Sequence, residues 1–137
     1  MTKTADRYSN PRIVLTADDD ERLSQLVGAA SNSSPDATSE LAKELDRAHV
    51  LTRGRYPPDI VRMSSDVEYR DETTGRIQVV TLVYPYQADI AEGRVSVLTP
   101  IGTALIGLAV GKSISWRTRT GQMKRLTVLK VRDTAAS

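Results

Sequence analysis

The residues with the most chemical promise are the glycine-flanked lysine in Gly107-Leu108-Ala109-Val110-Gly111-Lys112-Ser113, the carboxylate run Asp18-Asp19-Asp20-Glu21 and the lone His49. Gly-Lys-Ser closes the loops that cradle phosphates, but such a loop needs a glycine five positions before Gly111, where Ile106 stands, and a helix after the lysine. Ser113-Ile114-Ser115-Trp116 is strand-like instead, so the segment reads as a glycine turn between a helix and a strand. Carboxylate oxygens suit Mg²⁺, yet consecutive helical residues point around the axis; Asp18 to Glu21 therefore read as first-turn acids facing the positive end of a helix dipole. His49 reads as an imidazole at the negative end of a second helix.

Composition removes further chemistries. The 137 residues contain no cysteine and one histidine, which excludes disulfides, thiolate zinc sites, cysteine nucleophiles and multi-histidine metal centres. No cofactor and no metal are expected. Nor does any apolar run approach the ~20 residues that span a bilayer, and Met1 to Arg12 lack a signal-peptide core, so a cytoplasmic protein without membrane contact is expected. Residues 1–50 hold 6 basic and 9 acidic side chains while residues 51–137 hold 13 and 8, giving halves of opposite charge. The excess concentrates in Arg117, Arg119, Lys124, Arg125, Lys130 and Arg132. Only Trp116 lies among them as a stacking residue, so a solvated or protein-docking face is favoured and direct DNA binding is not expected.

Two elements must position whatever these residues do. Residues 1–12 read as a flexible tail. Thr16 caps a helix carrying Leu23, Leu26, Val27 and Ala30; Ser31-Asn32-Ser33-Ser34 interrupts it; Ser34-Pro35 starts a second helix carrying Ala37, Leu41, Leu45 and Ala48. This gives a helical hairpin over residues 13–52 whose arms of about 13 residues reach only ~20 Å, too short to be stable alone. Gly54, Pro57 and Pro58 mark a boundary within Thr52 to Pro58. Residues 53–137 then alternate: strands around Val67 and Tyr69, from Ile77 to Tyr84 and from Gly93 to Leu98, a buried helix from Ile101 to Leu108 opened by Pro100, and a hairpin of Lys112 to Thr118 with Gln122 to Arg132 across Thr120-Gly121. The expected class is α+β, a mainly antiparallel sheet covered by one short helix.

Residues 60–131 resemble the C-terminal domain of the bacterial Gre factors through Gly93-Arg94-Val95-Ser96-Val97-Leu98-Thr99-Pro100-Ile101-Gly102-Thr103-Ala104-Leu105-Ile106-Gly107-Leu108, followed by Val110-Gly111-Lys112-Ser113-Ile114. Glu44-Leu45-Asp46-Arg47-Ala48, Pro58-Asp59-Ile60-Val61-Arg62-Met63 and Thr81-Leu82-Val83-Tyr84-Pro85 make the chain more similar still to the Rnk type, the regulators of nucleoside diphosphate kinase.

The resemblance implies an FKBP-like C-terminal fold carrying a helical hairpin and binding to RNA polymerase at the rim of its secondary channel, with Leu98, Thr99 and Pro100 at the docking loop; a monomer is expected. The family's usual acidic and serine positions are here Leu98 and Thr99. Gre factors bring two carboxylates to the tip of a longer arm, where they help hold Mg²⁺ for transcript cleavage. The tip here, with Ser33, Ser34 and Asp36, has one acid, so a regulator without catalytic residues is expected. The alternatives are a residual cleavage factor acting through Asp36 and an FKBP-like prolyl isomerase, the latter needing a pocket drawn from Tyr56, Tyr69, Tyr84, Tyr86 and Trp116.

Overall fold

The computed structural model describes residues 13–51 and 59–133. The expected tail, residues 1–12, and the expected boundary segment Thr52 to Pro58 lie outside the described residues.

The hairpin forms because each helix has a start signal and an apolar stripe. The Thr16 side chain accepts a hydrogen bond from the Asp19 N–H at 3.0 Å and so caps α1 (Ala17–Ala30), whose first turn carries Asp18, Asp19 and Asp20. Pro35 opens α2 (Pro35–Arg47). Ser34 occupies the N-cap position but makes no side-chain cap; its carbonyl instead accepts from both the Thr38 N–H and the Thr38 hydroxyl. Leu23 and Leu41 are fully buried where the two helices meet.

Two short strands flank this hairpin: β1 (Val14–Thr16) and β2 (His49–Leu51) pair in parallel, Val14 opposite His49 and Thr16 opposite Leu51. This corrects the reading of His49 as a helix-end residue. α2 stops at Arg47, Ala48 is already extended, and His49 is an exposed strand residue whose N–H donates to the Ile13 carbonyl at 2.9 Å.

The larger sheet contains β3 (Ser65–Asp71), β4 (Ile77–Val83), β5 (Arg94–Ser96), β6 (Ser113–Arg117) and β7 (Met123–Asp133) in the order β5-β4-β3-β7-β6. β3 shows the two-residue period directly, with Ser65, Val67 and Tyr69 buried and Asp66, Glu68 and Arg70 on the other face. All pairings are antiparallel except β4 with β5, which run parallel after the loop of residues 84–93. α3 (Pro100–Leu105) covers the inner face. It is shorter than the apolar run from Ile101 to Leu108 suggests, because Ile106 leaves helical geometry and Gly107 turns the chain at φ +76°. Gly111, at φ +87°, makes the next turn, and Ser113 enters β6; no helix follows Lys112, which accords with the turn reading of that motif.

Hairpin and sheet share one core. Leu15, Leu23 and Leu41 belong to the same buried cluster as Val61, Val67, Leu82, Leu105, Leu108, Ile114, Leu126 and Val128. The seam is also hydrogen-bonded. The Val14 N–H donates to the Gly107 carbonyl at 3.0 Å, and the Gly107 N–H donates to Val61 at 2.9 Å. A Cβ on Gly107 would lie 2.7 Å from that of Ile13, so only glycine admits β1 this closely.

Asp19 fastens the other side, its carboxylate accepting from the Met63 N–H at 3.1 Å across 44 residues of sequence. Burial raises the Asp19 pKa above its ordinary 3.8; the Met63 N–H and the Arg62 charge oppose the rise. An acid whose folded pKa is raised ionises first in the unfolded chain, so stability falls as pH climbs from about 3.8 and levels off once the folded group has ionised too. Asp19→Asn keeps an acceptor for Met63 and removes that decline, so urea midpoints of the two proteins should separate between acidic and neutral pH in the variant's favour. Asp19→Ala orphans the buried N–H and should cost ~1–3 kcal/mol at all pH values.

Candidate functional site

The segment joining β5 to α3 is built as a rigid hydrogen-bonded turn. The Ser96 hydroxyl accepts from the Leu98 N–H at 3.0 Å, and the Ser96 carbonyl accepts from the Thr99 N–H at 3.0 Å and the Thr99 hydroxyl at 2.7 Å. The same Thr99 oxygen accepts from the Gly102 N–H at 3.0 Å, which caps α3, and Pro100 takes the first helical position. One turn on, the Thr103 hydroxyl donates to the Val97 carbonyl at 2.7 Å. Gly102 lies so close to the Ser96 carbonyl that a Cβ would collide with it. Leu98, Thr99 and Pro100 are therefore half-exposed on a frame that cannot shift easily. The Thr99 hydroxyl is occupied in that frame.

α3 packs on both α2 and β6 and so stands between them. The result is a groove of about 670 Å³ whose floor includes Leu98, Pro100, Ala104, Ile114 and Trp116. One wall is α2, where Asp36, Glu40 and Glu44 recur every four residues and so share a helix face. The other is the end of β6 and its turn, with Arg117 and Arg119, and Met123 at the margin. No ion pair among the described residues joins the walls. Glu40 bonds Lys43 at 3.2 Å and Glu44 bonds Arg47 at 3.1 Å, both along their own helix, while Arg117 reaches the Gly121 carbonyl at 3.4 Å. Burial raises the Glu44 pKa, opposed by Arg47.

Of the residues singled out in the sequence, Leu98, Thr99, Pro100 and Asp36 all line this groove. Ser33 and Ser34 do not. They belong to the turn of the hairpin, where the Ser33 hydroxyl and the Ser33 and Ser34 N–H groups bond the Ala30 carbonyl. Sequence reasoning does not single out Glu40 or Met123 and holds Glu44 only within the motif of the resemblance, although the Asp36-Glu40-Glu44 spacing is a readable signal for one acidic helix face.

The basic side chains of the last hairpin do not form one stripe. Lys124 pairs with Asp71 at 3.0 Å, Arg125 donates to the Ser115 hydroxyl at 3.1 Å, and Lys130 and Arg132 stand opposite Glu68 and Asp66 in the sheet register. The aromatic side chains are dispersed as well. Tyr69 is in the core, Tyr84 and Tyr86 stack at 6.2 Å on another face, Trp116 is in the groove, and Tyr56 lies outside the described residues. No three His, Cys, Asp or Glu side chains among the described residues converge as a metal site, and no described helix is long and apolar enough to cross a membrane.

Residues 56–133 match the family described as transcription elongation factor GreA/GreB, C-terminal, and residues 11–51 match the Rnk N-terminus. The chain is 36% identical over 123 residues to the regulator of nucleoside diphosphate kinase of Escherichia coli strain K12, covering 90% of each protein. The chain belongs to the Rnk family. It is thus a Gre-like regulator, and the α+β fold carries the same relationship. A solved structure titled prokaryotic transcription elongation factor GreA/GreB from Nitrosomonas europaea superposes with TM-score 0.69 at 36% identity, over 89% of this chain and 98% of that one. The GreA of Chloroflexus aggregans is 38% identical over 93 residues, which are 68% of this Rnk-family chain but only 59% of that longer protein.

The Thr99 cap of α3 sets a stability test. Thr99→Ala removes both bonds of the hydroxyl and should destabilise by about 1 kcal/mol, whereas Thr99→Ser should retain most of it, as read by chemical denaturation.

Proposed function

We propose that this Rnk-family protein is a transcription regulator that docks on RNA polymerase at the rim of the secondary channel and covers the opening without cutting RNA. The observation that carries this reading is a GreA/GreB-type domain joined to a short hairpin with one carboxylate near its tip. Helices of 14 and 13 residues extend ~21 and ~20 Å. Asp36, the one acid there, lines the groove instead of crowning the turn. Completing a second metal site inside another enzyme requires carboxylates within coordination distance of the ion, near 2.0–2.1 Å for Mg²⁺. A short arm with a single, sideways carboxylate does not meet that requirement.

The rigid Leu98-Thr99-Pro100 turn supports a docking role, since it presents a preorganised surface that loses little entropy on binding. The name shared by the relatives points to nucleoside diphosphate kinase, and the proposed route to that enzyme is through transcription.

Binding to core RNA polymerase and competition with a GreA protein in a stalled-complex cleavage assay test the proposal. Wild-type protein should bind, displace GreA and leave the transcript intact. Leu98→Arg, which puts the opposite charge where the family usually has an acid, and Pro100→Ala should weaken binding, and Asp36→Ala should change no cleavage signal, there being none. Failure to bind, or Mg²⁺-dependent RNA shortening that Asp36→Ala abolishes, would overturn it.

A further inference from the structure

The groove between α2 and the end of β6 is electrically zoned, and the zoning goes beyond a docking position. Three carboxylates at a four-residue spacing form one wall, two guanidinium groups stand on the other, and an apolar floor with Trp116 lies between. No ion pair among the described residues bridges the groove: Glu40 and Glu44 pair along their own helix and Arg117 reaches a carbonyl of its own turn. The frame keeps them apart, because α3 stands between the two walls and Gly102 is locked against Ser96. Zoned charge over a half-buried aromatic floor is what a protein segment of matching polarity requires; the aromatic residue supplies contact area and the flanking charges set orientation.

We infer that the groove holds one protein segment, an amphipathic stretch of the polymerase. Its apolar side chain seats on Trp116, its basic flank faces Asp36 and Glu40, and its acidic flank faces Arg117 and Arg119. The inference rests on the polymerase-docking reading and adds the chemistry and orientation of the segment. A polyanion is the natural rival, since Arg117, Arg119 and Trp116 could hold a phosphate and stack a base. The carboxylate row opposes it along the whole facing wall.

Charge reversal at two exposed positions separates the cases, because the two reversals act with the same sign on a zoned protein segment and with opposite signs on a polyanion. Affinity is measured for the full chain with core RNA polymerase and with a single-stranded RNA oligonucleotide, using Glu40→Lys, Arg119→Glu and the double variant, whose net charge equals that of the wild type. Each single reversal should weaken polymerase binding by about five- to tenfold, and the double variant should be weaker than either. Trp116→Ala should weaken binding as well, and Trp116→Phe should restore part of it.

Tighter binding by Glu40→Lys with weaker binding by Arg119→Glu, on either ligand, would replace the inference with a polyanion site. Unchanged polymerase affinity in all variants would overturn it and leave the docking reading standing on Leu98 and Pro100. Absence of polymerase binding by the wild type would instead overturn the docking reading itself. Thermal melts of each variant show whether the fold is retained.

Discussion

The seam between the helical hairpin and the sheet is the constraint on which the remaining geometry depends. Helices of 14 and 13 residues are marginal in water and gain their stability from tertiary burial. Leu15, Leu23 and Leu41 enter the core of the sheet domain, each burial worth ~1.5–3 kcal/mol. That driving force is non-directional, so it holds the hairpin down without choosing its angle. The angle comes from directional contacts at separate points: β1 against Gly107, where a side chain would not fit, and Asp19 against the Met63 N–H. Because α2 belongs to the hairpin and β6 to the sheet, these contacts fix the distance between the walls of the groove.

Asp19 shows how such a contact is chosen at a cost. A buried carboxylate is disfavoured by desolvation, and the raised pKa records that desolvation outweighs the Met63 and Arg62 contributions. Nearby, burial and the Asp19 charge push the Tyr84 phenol up to about 12. A leucine at position 19 would bury more cheaply. It would leave the Met63 N–H without an acceptor and would no longer fix where α1 sits relative to the 61–65 segment. The charge therefore contributes more to orientation than to stability, a role attested for buried polar groups elsewhere.

What the residues disclosed in advance follows the length scale of each interaction. Local signals were legible: the Thr16 cap, Pro35 and Pro100 at first helical positions, the alternation through Val67 and Tyr69, and the turn at Gly121. The ordered run from Gly93 to Leu108 carried the family resemblance and with it Leu98, Thr99 and Pro100, which line the groove. The strands β1 and β2 were not legible, because Val14-Leu15-Thr16 is too short to show a period, and the parallel partner that makes it a strand is His49-Val50-Leu51, 35 residues on in the register. The place of His49 is hidden for the same reason, since Ala48 is already extended and His49 pairs with Val14 in a strand the residues do not announce. The role of Asp19 was hidden by its neighbours: among four consecutive acids, only the fold distinguishes the buried one.

The groove joins both scales, and the magnitudes explain why it stays open. Unit charges ~10 Å apart in water attract by roughly 0.4 kcal/mol, and physiological salt screens them further, with a Debye length of about 8 Å. Attraction between the acidic face of α2 and the arginines past β6 is therefore far smaller than the several kcal/mol held in the shared core. It cannot pull the walls together. The same charges act differently once a segment fills the space, because excluding water lowers the local dielectric and brings partners to hydrogen-bonding distance, where charged pairs couple by ~1.5–7 kcal/mol in well-packed interfaces. Two walls that do not reach each other but can each reach an object between them would give a bound segment a preferred direction, and the Leu98-Thr99-Pro100 turn lines the same groove.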